Sequence, residues 1–253
     1  MIKIEKLTAG YEKQSPENEI LHSISLTVPR GKTSVVLGPN GSGKTTLLRT
    51  IAGFIRPWSG TIEIEGLSED GEIARKIAFV PQSRSIPDVT VGRLVLAGRF
   101  PHTSFPHVYT KEDAKIAENA MARMGISDFA ERELKKLSGG QRQKAYIAMA
   151  LAQDTPILIL DEPMTFLDIR QQLELSGTLS SLRDEGKTIL LVAHDINAAL
   201  SLADNIILMK DGNIAASGSP STITEGGFID SVFGVKTQRA FSTGGQLLSF
   251  SLA

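Results

Sequence analysis

The chain is 253 residues long, with 41% hydrophobic and 22% charged residues and a formal net charge of -1. That composition suits a globular chain able to bury a sizeable core, and the near-neutral charge argues against a broad basic face, so no nucleic-acid partner is expected. The absence of cysteine excludes disulfides, thiolate metal sites and a cysteine nucleophile. No stretch approaches the roughly 18 apolar residues of a spanning helix. The alternating start, Ile2-Lys3-Ile4-Glu5, lacks the apolar block of an export signal. Any membrane role is therefore expected to come through a partner chain.

Taken in order, Ile2 and Ile4 alternate with charged residues, and Ile24, Leu26 and Val28 alternate with Ser25 and Thr27, the period of half-buried strands. The polar stretch from Lys13 to Glu19 between them reads as a loop, and Thr61 to Ile64 as a further strand after a turn at Pro57 to Gly60. Four runs differ in kind: Ser34–Leu37, Ile77–Val80, Ile157–Leu160 and Ile189–Val192 are continuously apolar, as in strands of a parallel sheet covered on both faces. Helical stretches separate several of them, which predicts an α/β fold. Residues 84–155 are expected to form an inserted helical subdomain within a core made of 1–83 and 156–253. Its first part, Ser83 to His107, is rich in proline, glycine and aromatics, and helices are expected over Lys111–Gly125 and Gln141–Gln153. Asp211-Gly212 between two apolar runs predicts a hairpin. The last thirty or so residues are weakly patterned, and no element is assigned to them.

Each unbroken run is followed closely by one of Gly38, Gln82, Asp161 and His194. Ligands of open parallel sheets bind beyond the carboxyl ends of the strands, so these four residues are expected to converge. The sharpest pattern is Gly38-Pro39-Asn40-Gly41-Ser42-Gly43-Lys44-Thr45, the spacing of a phosphate loop. Its glycines let backbone N–H groups turn towards phosphate oxygens, and the helix opening near Lys44, with Thr46 in its first turn, adds a positive end. Lys44 would reach the β- and γ-phosphates and Thr45 a Mg²⁺ ion. On this pattern alone the chain binds a nucleotide, and several enzyme classes stay open. Asp161-Glu162 ends a buried run; the pair can hold Mg²⁺ and activate water, or simply start a helix. In Leu137-Ser138-Gly139-Gly140-Gln141, Ser138 suits an N-cap. The two glycines leave bare backbone donors at a helix start, a second anion site that a homodimer would use; a loop with a capping serine is the plainer alternative.

In this order the patterns resemble the ATP-binding-cassette ATPases, over about residues 1 to 220. Gly38–Thr45 looks like Walker A, Ile157–Glu162 like Walker B and Leu137–Gln141 like the family signature. Gln82 is similar to the Q-loop glutamine, His194 to the switch histidine, Asp168 to the end of the D-loop and Tyr11 to the adenine-stacking aromatic. The resemblance implies a P-loop NTPase core with a mainly parallel sheet, an N-terminal antiparallel β subdomain and an inserted α-helical subdomain. It implies ATP and Mg²⁺ as cofactors, with Asp161, Gln82 and Thr45 at the metal and Glu162 and His194 catalytic. It also implies a head-to-tail homodimer in which Ser138, Gly139, Gly140, Gln141 and Asp168 act in trans. Leu96–His102, Ala148–Asp154, Thr165–Ile169 and Val232–Val235 are similar to the ATPases of iron–siderophore, haem and cobalamin importers, with Met164 departing from the usual threonine.

Implied partners are integral membrane permease subunits, two in number, and, indirectly, an extracytoplasmic substrate-binding protein. The implied location is the cytoplasmic face of the cell membrane, as a peripheral protein. Residues 82–107 are expected to meet the permease through Arg99 and Phe100, while His102 and His107 read as loop residues rather than metal ligands. Trp58 is expected to pack at a turn. Competing readings are a soluble relative such as an iron–sulfur assembly ATPase, an ATPase of the same class for another metal or solute, a P-loop kinase or GTPase, and a subunit that binds nucleotide without hydrolysing it.

Overall fold

The computed structural model describes residues 1–12, 15–65, 73–82, 85–242 and 245–252. In chain order the strands are β1 (Ile2–Gly10), β2 (Glu19–Val28), β3 (Thr33–Leu37), β4 (Ser59–Ile64), β5 (Ile77–Val80), β6 (Ile157–Asp161), β7 (Thr188–Val192), β8 (Asn205–Lys210), β9 (Asn213–Gly218), β10 (Val235–Ser242) and β11 (Gly245–Leu252). The helices are α1 (Lys44–Ile51), α2 (Ile73–Lys76), α3 (Val91–Ala97), α4 (Lys111–Arg123), α5 (Gly139–Ala152), α6 (Ile169–Asp184), α7 (Ile196–Leu202), α8 (Pro220–Glu225) and α9 (Phe228–Phe233). They fall into two compact units, residues 1–66 with 190–253, and residues 67–189.

The first unit contains the antiparallel sheet β2-β1-β4, with Ile2 opposite both Val28 and Ile64. Its second sheet segment runs β7-β3-β8-β9, where β3 and β8 are parallel (Val35 opposite Ile206) and β8 and β9 antiparallel. The β8–β9 turn places Asp211 and Gly212 at φ 46° and 73°, the left-handed pair that gives a two-residue hairpin the right twist. Every residue of β3 is buried, and each Val or Leu sealed in this way contributes about 1.5–3 kcal/mol.

The second unit carries β5 and β6. β5 and β6 are parallel, Val80 opposite Leu160, and β6 is buried throughout. Among the described residues, the stretch 85–155 holds helices joined by loops and no strand, with one isolated bridge, Thr90 with Glu133. α4 begins in a capping box, Thr110 and Asp113 each bonding the other's backbone N–H.

Several features were not legible from periodicity. The helix α3, within the proline- and glycine-rich stretch, is capped by Thr90 Oγ1 accepting from Arg93 N. The weakly patterned C-terminal residues hold α8, α9 and the β10–β11 pair. Lys13, Gln14 and Ser83 from the expected loops lie outside the described residues.

Arg99 corrects an expectation. It is buried, at 8% exposure, with Nε on Asp113 Oδ1 at 2.9 Å and Nη1 on the Ala152 carbonyl at 2.9 Å. It is an internal strut and not a docking residue, because a guanidinium can be buried only when its donors are paired. Arg99→Ala leaves Asp113 without its cation and is expected to cost about 3 kcal/mol in urea unfolding. The Thr110 backbone N–H, Arg99 and the Thr110 hydroxyl together hold the Asp113 carboxyl down at about 2, from 3.8. Its stabilising contribution is therefore complete above the unfolded value near 3.8 and is lost as pH falls through about 2. The acid-labile part of the stability should shrink in Arg99→Ala; an unchanged acid profile would contradict this assignment.

Candidate functional site

In the first unit, β3 runs directly into the phosphate loop. Gly43 sits at φ 94° as the N-cap of α1, a backbone conformation open to glycine at little cost. The loop is backed by β8: a Cβ on Gly38 would lie 2.2 Å from the Met209 carbonyl oxygen, so only glycine permits the contact. Gly212, in the β8–β9 turn, donates its N–H to the Ser42 carbonyl at 3.3 Å. Asn40 and Gly41 are exposed and Ser42 is buried, its hydroxyl without a hydrogen-bond partner among the described residues. Lys44 is only 6% exposed, and its ammonium donates to the Gly38 and Pro39 carbonyls, both at 2.8 Å. The arrangement is a cradle with a buried cation at its floor, suited to a polyphosphate.

Two further residues of this unit join the cradle. Thr46, on α1, donates its hydroxyl to the Tyr11 phenol oxygen at 3.3 Å, which fixes a half-exposed ring in relation to the phosphate loop. The sequence marks both Tyr11 and Thr46, but this tether between them carries no sequence signal. His194 is exposed just beyond β7. The preceding residue, Ala193, donates its N–H to the Val36 carbonyl at 3.2 Å, so His194 and Gly38 leave neighbouring strands.

In the second unit, strand register does the same for a different pair. Val80 lies opposite Leu160, so the residues two beyond each emerge side by side. Gln82 Nε2 accordingly donates to Glu162 Oε2 at 2.6 Å, and Thr165 Oγ1 donates to the same oxygen at 3.3 Å. Glu162 holds φ 53°, a left-handed conformation that costs a residue with a side chain about 1–3 kcal/mol and collects at functional sites. Gln143, on α5 and buried, donates to the Pro163 carbonyl at 3.0 Å and supports that turn. Gln143 was not picked out from the sequence, since it belongs to no recognisable spacing, and Thr165 entered only within the Thr165–Ile169 stretch, with no role at Glu162. Asp161, ending β6, is 0% exposed.

Ser138 caps α5 as expected, in a capping box: its hydroxyl accepts from Gln141 N at 3.3 Å, and Gln141 Oε1 accepts from Ser138 N at 3.0 Å. The glycines between them also have a packing reason. A Cβ on Gly139 would lie 3.2 Å from Phe166 Cβ, and one on Gly140 would lie 2.5 Å from Gln171 Oε1. Asp168 forms a second capping box, its carboxylate accepting from Gln171 N at 2.8 Å at the start of α6.

Among the described residues, no group of three or more His, Asp or Glu could hold a metal. His102 Nε2 is engaged with the Gln153 carbonyl at 2.7 Å, and His107 Nδ1 with Thr103 Oγ1 at 2.8 Å. The oxygens offered by Thr45, Gln82 and Asp161 are hydroxyl, carboxamide and carboxylate. Each is a hard oxygen donor of the kind that Mg²⁺ takes alongside water and phosphate oxygens.

Comparison with known proteins agrees with this chemistry. The ABC transporter family profile matches residues 21–165. The chain is 38% identical over 243 residues to a petrobactin import ATP-binding protein, FpuD, of Bacillus anthracis, covering 94% of this chain and 88% of the relative. It is 39% identical over 238 residues to the ferric enterobactin transport ATP-binding protein FepC of Escherichia coli K12, covering 92% and 86%. The dimeric structure of MJ0796, a bacterial ABC transporter cassette, superposes with a TM-score of 0.77 at 30% identity, covering 87% of this chain and 99% of that one. The chain belongs to the ABC transporter family, as one of its ATP-hydrolysing subunits.

Proposed function

We propose that this chain powers an importer for iron–siderophore complexes or for haem or cobalamin. ATP binds on the Gly38–Thr45 cradle with Tyr11 stacked on adenine, an interaction worth about 1–3 kcal/mol. Lys44 and the loop N–H groups hold the β- and γ-phosphates. Thr45, Gln82 and Asp161 would hold Mg²⁺, which would supply charge neutralisation. Glu162 takes a proton from the attacking water; the new bond forms at the γ-phosphorus as its bond to the bridging oxygen breaks, releasing ADP and phosphate. His194 donates to the γ-phosphate. The observation that carries this reading is the left-handed Glu162, its carboxylate held by Gln82 and Thr165.

The active form is a head-to-tail homodimer, Ser138, Gly139, Gly140, Gln141 and Asp168 of one copy closing on ATP held by the other. The dimeric relative supports this reading. So does chemistry: two glycines at the start of α5 leave donors facing an anion. Residues 84–155 form the signature-bearing subdomain. Two permease subunits and an extracytoplasmic binding protein complete the transporter, with this chain on the cytoplasmic face of the membrane. Among the described residues, no helix is long and apolar enough to cross a membrane.

The permease contact falls on Phe100, Phe105 and Val108, which are 54%, 90% and 69% exposed. Phe100 stacks on His107 with ring centroids 4.8 Å apart, which holds the loop in shape. Phe100→Ala should lower uptake of radiolabelled substrate about tenfold or more, the loss of roughly one interface hot spot, while basal ATP hydrolysis is kept. Uptake by a deletion strain complemented with this chain, assayed with a ferric siderophore, haem and cobalamin in turn, tests the proposal. Retention of all three uptakes in the deletion strain would refute it.

A further inference from the structure

The C-terminal strand pair β10–β11 forms its own two-stranded sheet, with Val235 opposite Leu252 and Ser242 opposite Gly245. Such a ribbon is marginal by itself and leaves a row of backbone groups along each edge. At Leu248 that edge is taken by a side chain. Asn197 Nδ2 donates to the Leu248 carbonyl at 3.0 Å, and Leu248 N donates to Asn197 Oδ1 at 2.8 Å. One carboxamide, with a donor and an acceptor in one plane, stands in for a neighbouring strand. Leu248 is buried at 5% exposure, whereas Leu247 and Phe250 on either side of it are exposed, so this is where the ribbon is seated.

Asn197 lies in the first turn of α7, three residues after His194. Asp195, between them, caps the helix by accepting from Ala198 N at 3.0 Å. α7 has seven residues and buries only Ala199 and Leu202, and a helix so short has little stability of its own. Its position must come from anchors, and the paired bonds to β11 are two of them. His194 is thus bracketed, on the strand side by Ala193 bonded to Val36, and on the helix side by the Asn197–Leu248 clamp.

We propose that Asn197 is a positioning residue for ATP hydrolysis: by clamping α7 to the backbone of β11 it sets the direction in which His194 leaves β7. The C-terminal ribbon is then a working part of the nucleotide machinery. This inference rests on the reading that His194 acts at the γ-phosphate.

The test is single-turnover and steady-state ATP hydrolysis by the full chain carrying Asn197→Ala, His194→Ala or both. Asn197→Ala is expected to lower kcat about tenfold, as a small misplacement of a reacting group does, with the ATP dissociation constant within about twofold because the phosphate loop is untouched. In the His194→Ala background it should cause no further loss, the non-additivity of residues acting through one group. Leu248→Pro removes the N–H at the other end of the clamp and should reproduce the effect without altering α7, which keeps the test alive if Asn197→Ala does not fold. Parental kcat in both clamp variants, with His194→Ala still impaired, overturns the inference and leaves the His194 assignment standing. An additive loss in the double variant also overturns it. Parental turnover in His194→Ala overturns the underlying assignment, and the inference with it.

Discussion

Glu162→Gln should bind ATP at close to the parental affinity, turn it over at least about 10²-fold more slowly, and accumulate as a dimer in Mg-ATP. The magnitude is that of losing a positioned general base, about 10²–10⁴ in rate. The substitution suits the geometry, because the oxygen that accepts from Gln82 and Thr165 has a counterpart in the glutamine amide oxygen. The left-handed backbone at this position is no more strained by glutamine than by glutamate. What changes is the ability to accept a proton from water. Phosphate release in a single turnover, alongside light scattering on a sizing column, reads both effects. A variant that hydrolyses at the parental rate would remove Glu162 from the role of base, and a slow variant that stays monomeric with nucleotide would instead count against the dimer.

Lys44→Ala should fail one step earlier, at binding. The ammonium is almost fully buried, and its two bonds to the Gly38 and Pro39 carbonyls hold it inside the loop that takes the phosphates. Truncating one partner of a buried charge pair costs about 2–5 kcal/mol, so the affinity for ATP should fall about 30-fold or more. Heating the protein with and without Mg-ATP gives an independent check, because the stabilisation by nucleotide follows its affinity and should largely vanish. Lys44→Met retains most of the aliphatic volume and separates lost charge from a collapsed loop. If calorimetric titration finds the parental affinity in both variants, Lys44 is not the phosphate-binding cation.

Much of the scaffold was written locally. β3, β6 and β7 were visible as largely apolar runs and are buried along their whole length, because burial on both faces favours apolar residues throughout, with polar Thr33, Ser34, Asp161 and Thr188 buried at their ends. The phosphate loop was visible because its chemistry is contained in eight consecutive residues. Asp211-Gly212 announced its hairpin because a left-handed pair admits few residue types. Ser138 announced a cap for a similar reason, its partner Gln141 lying one helical turn away.

The supports of the site belong to the tertiary structure. Gln82 meets Glu162 across 80 residues of chain, and Thr46 meets Tyr11 across 35. Each bond exists because two distant parts of the chain are brought side by side, and local residue spacing holds no record of that. Arg99 reads as an exposed cation in a proline-rich loop until Asp113 and the Ala152 carbonyl are brought to it. The C-terminal ribbon has little period of its own, and it is held by an asparagine 51 residues before Leu248 and by Asp230, which accepts from Thr237 N. Sequence alone marked the groups proposed for the chemistry, since caps, loops and buried runs are rules about neighbours. Folding decided what holds those groups in place, since a hydrogen bond between distant residues depends on where each backbone ends up in space.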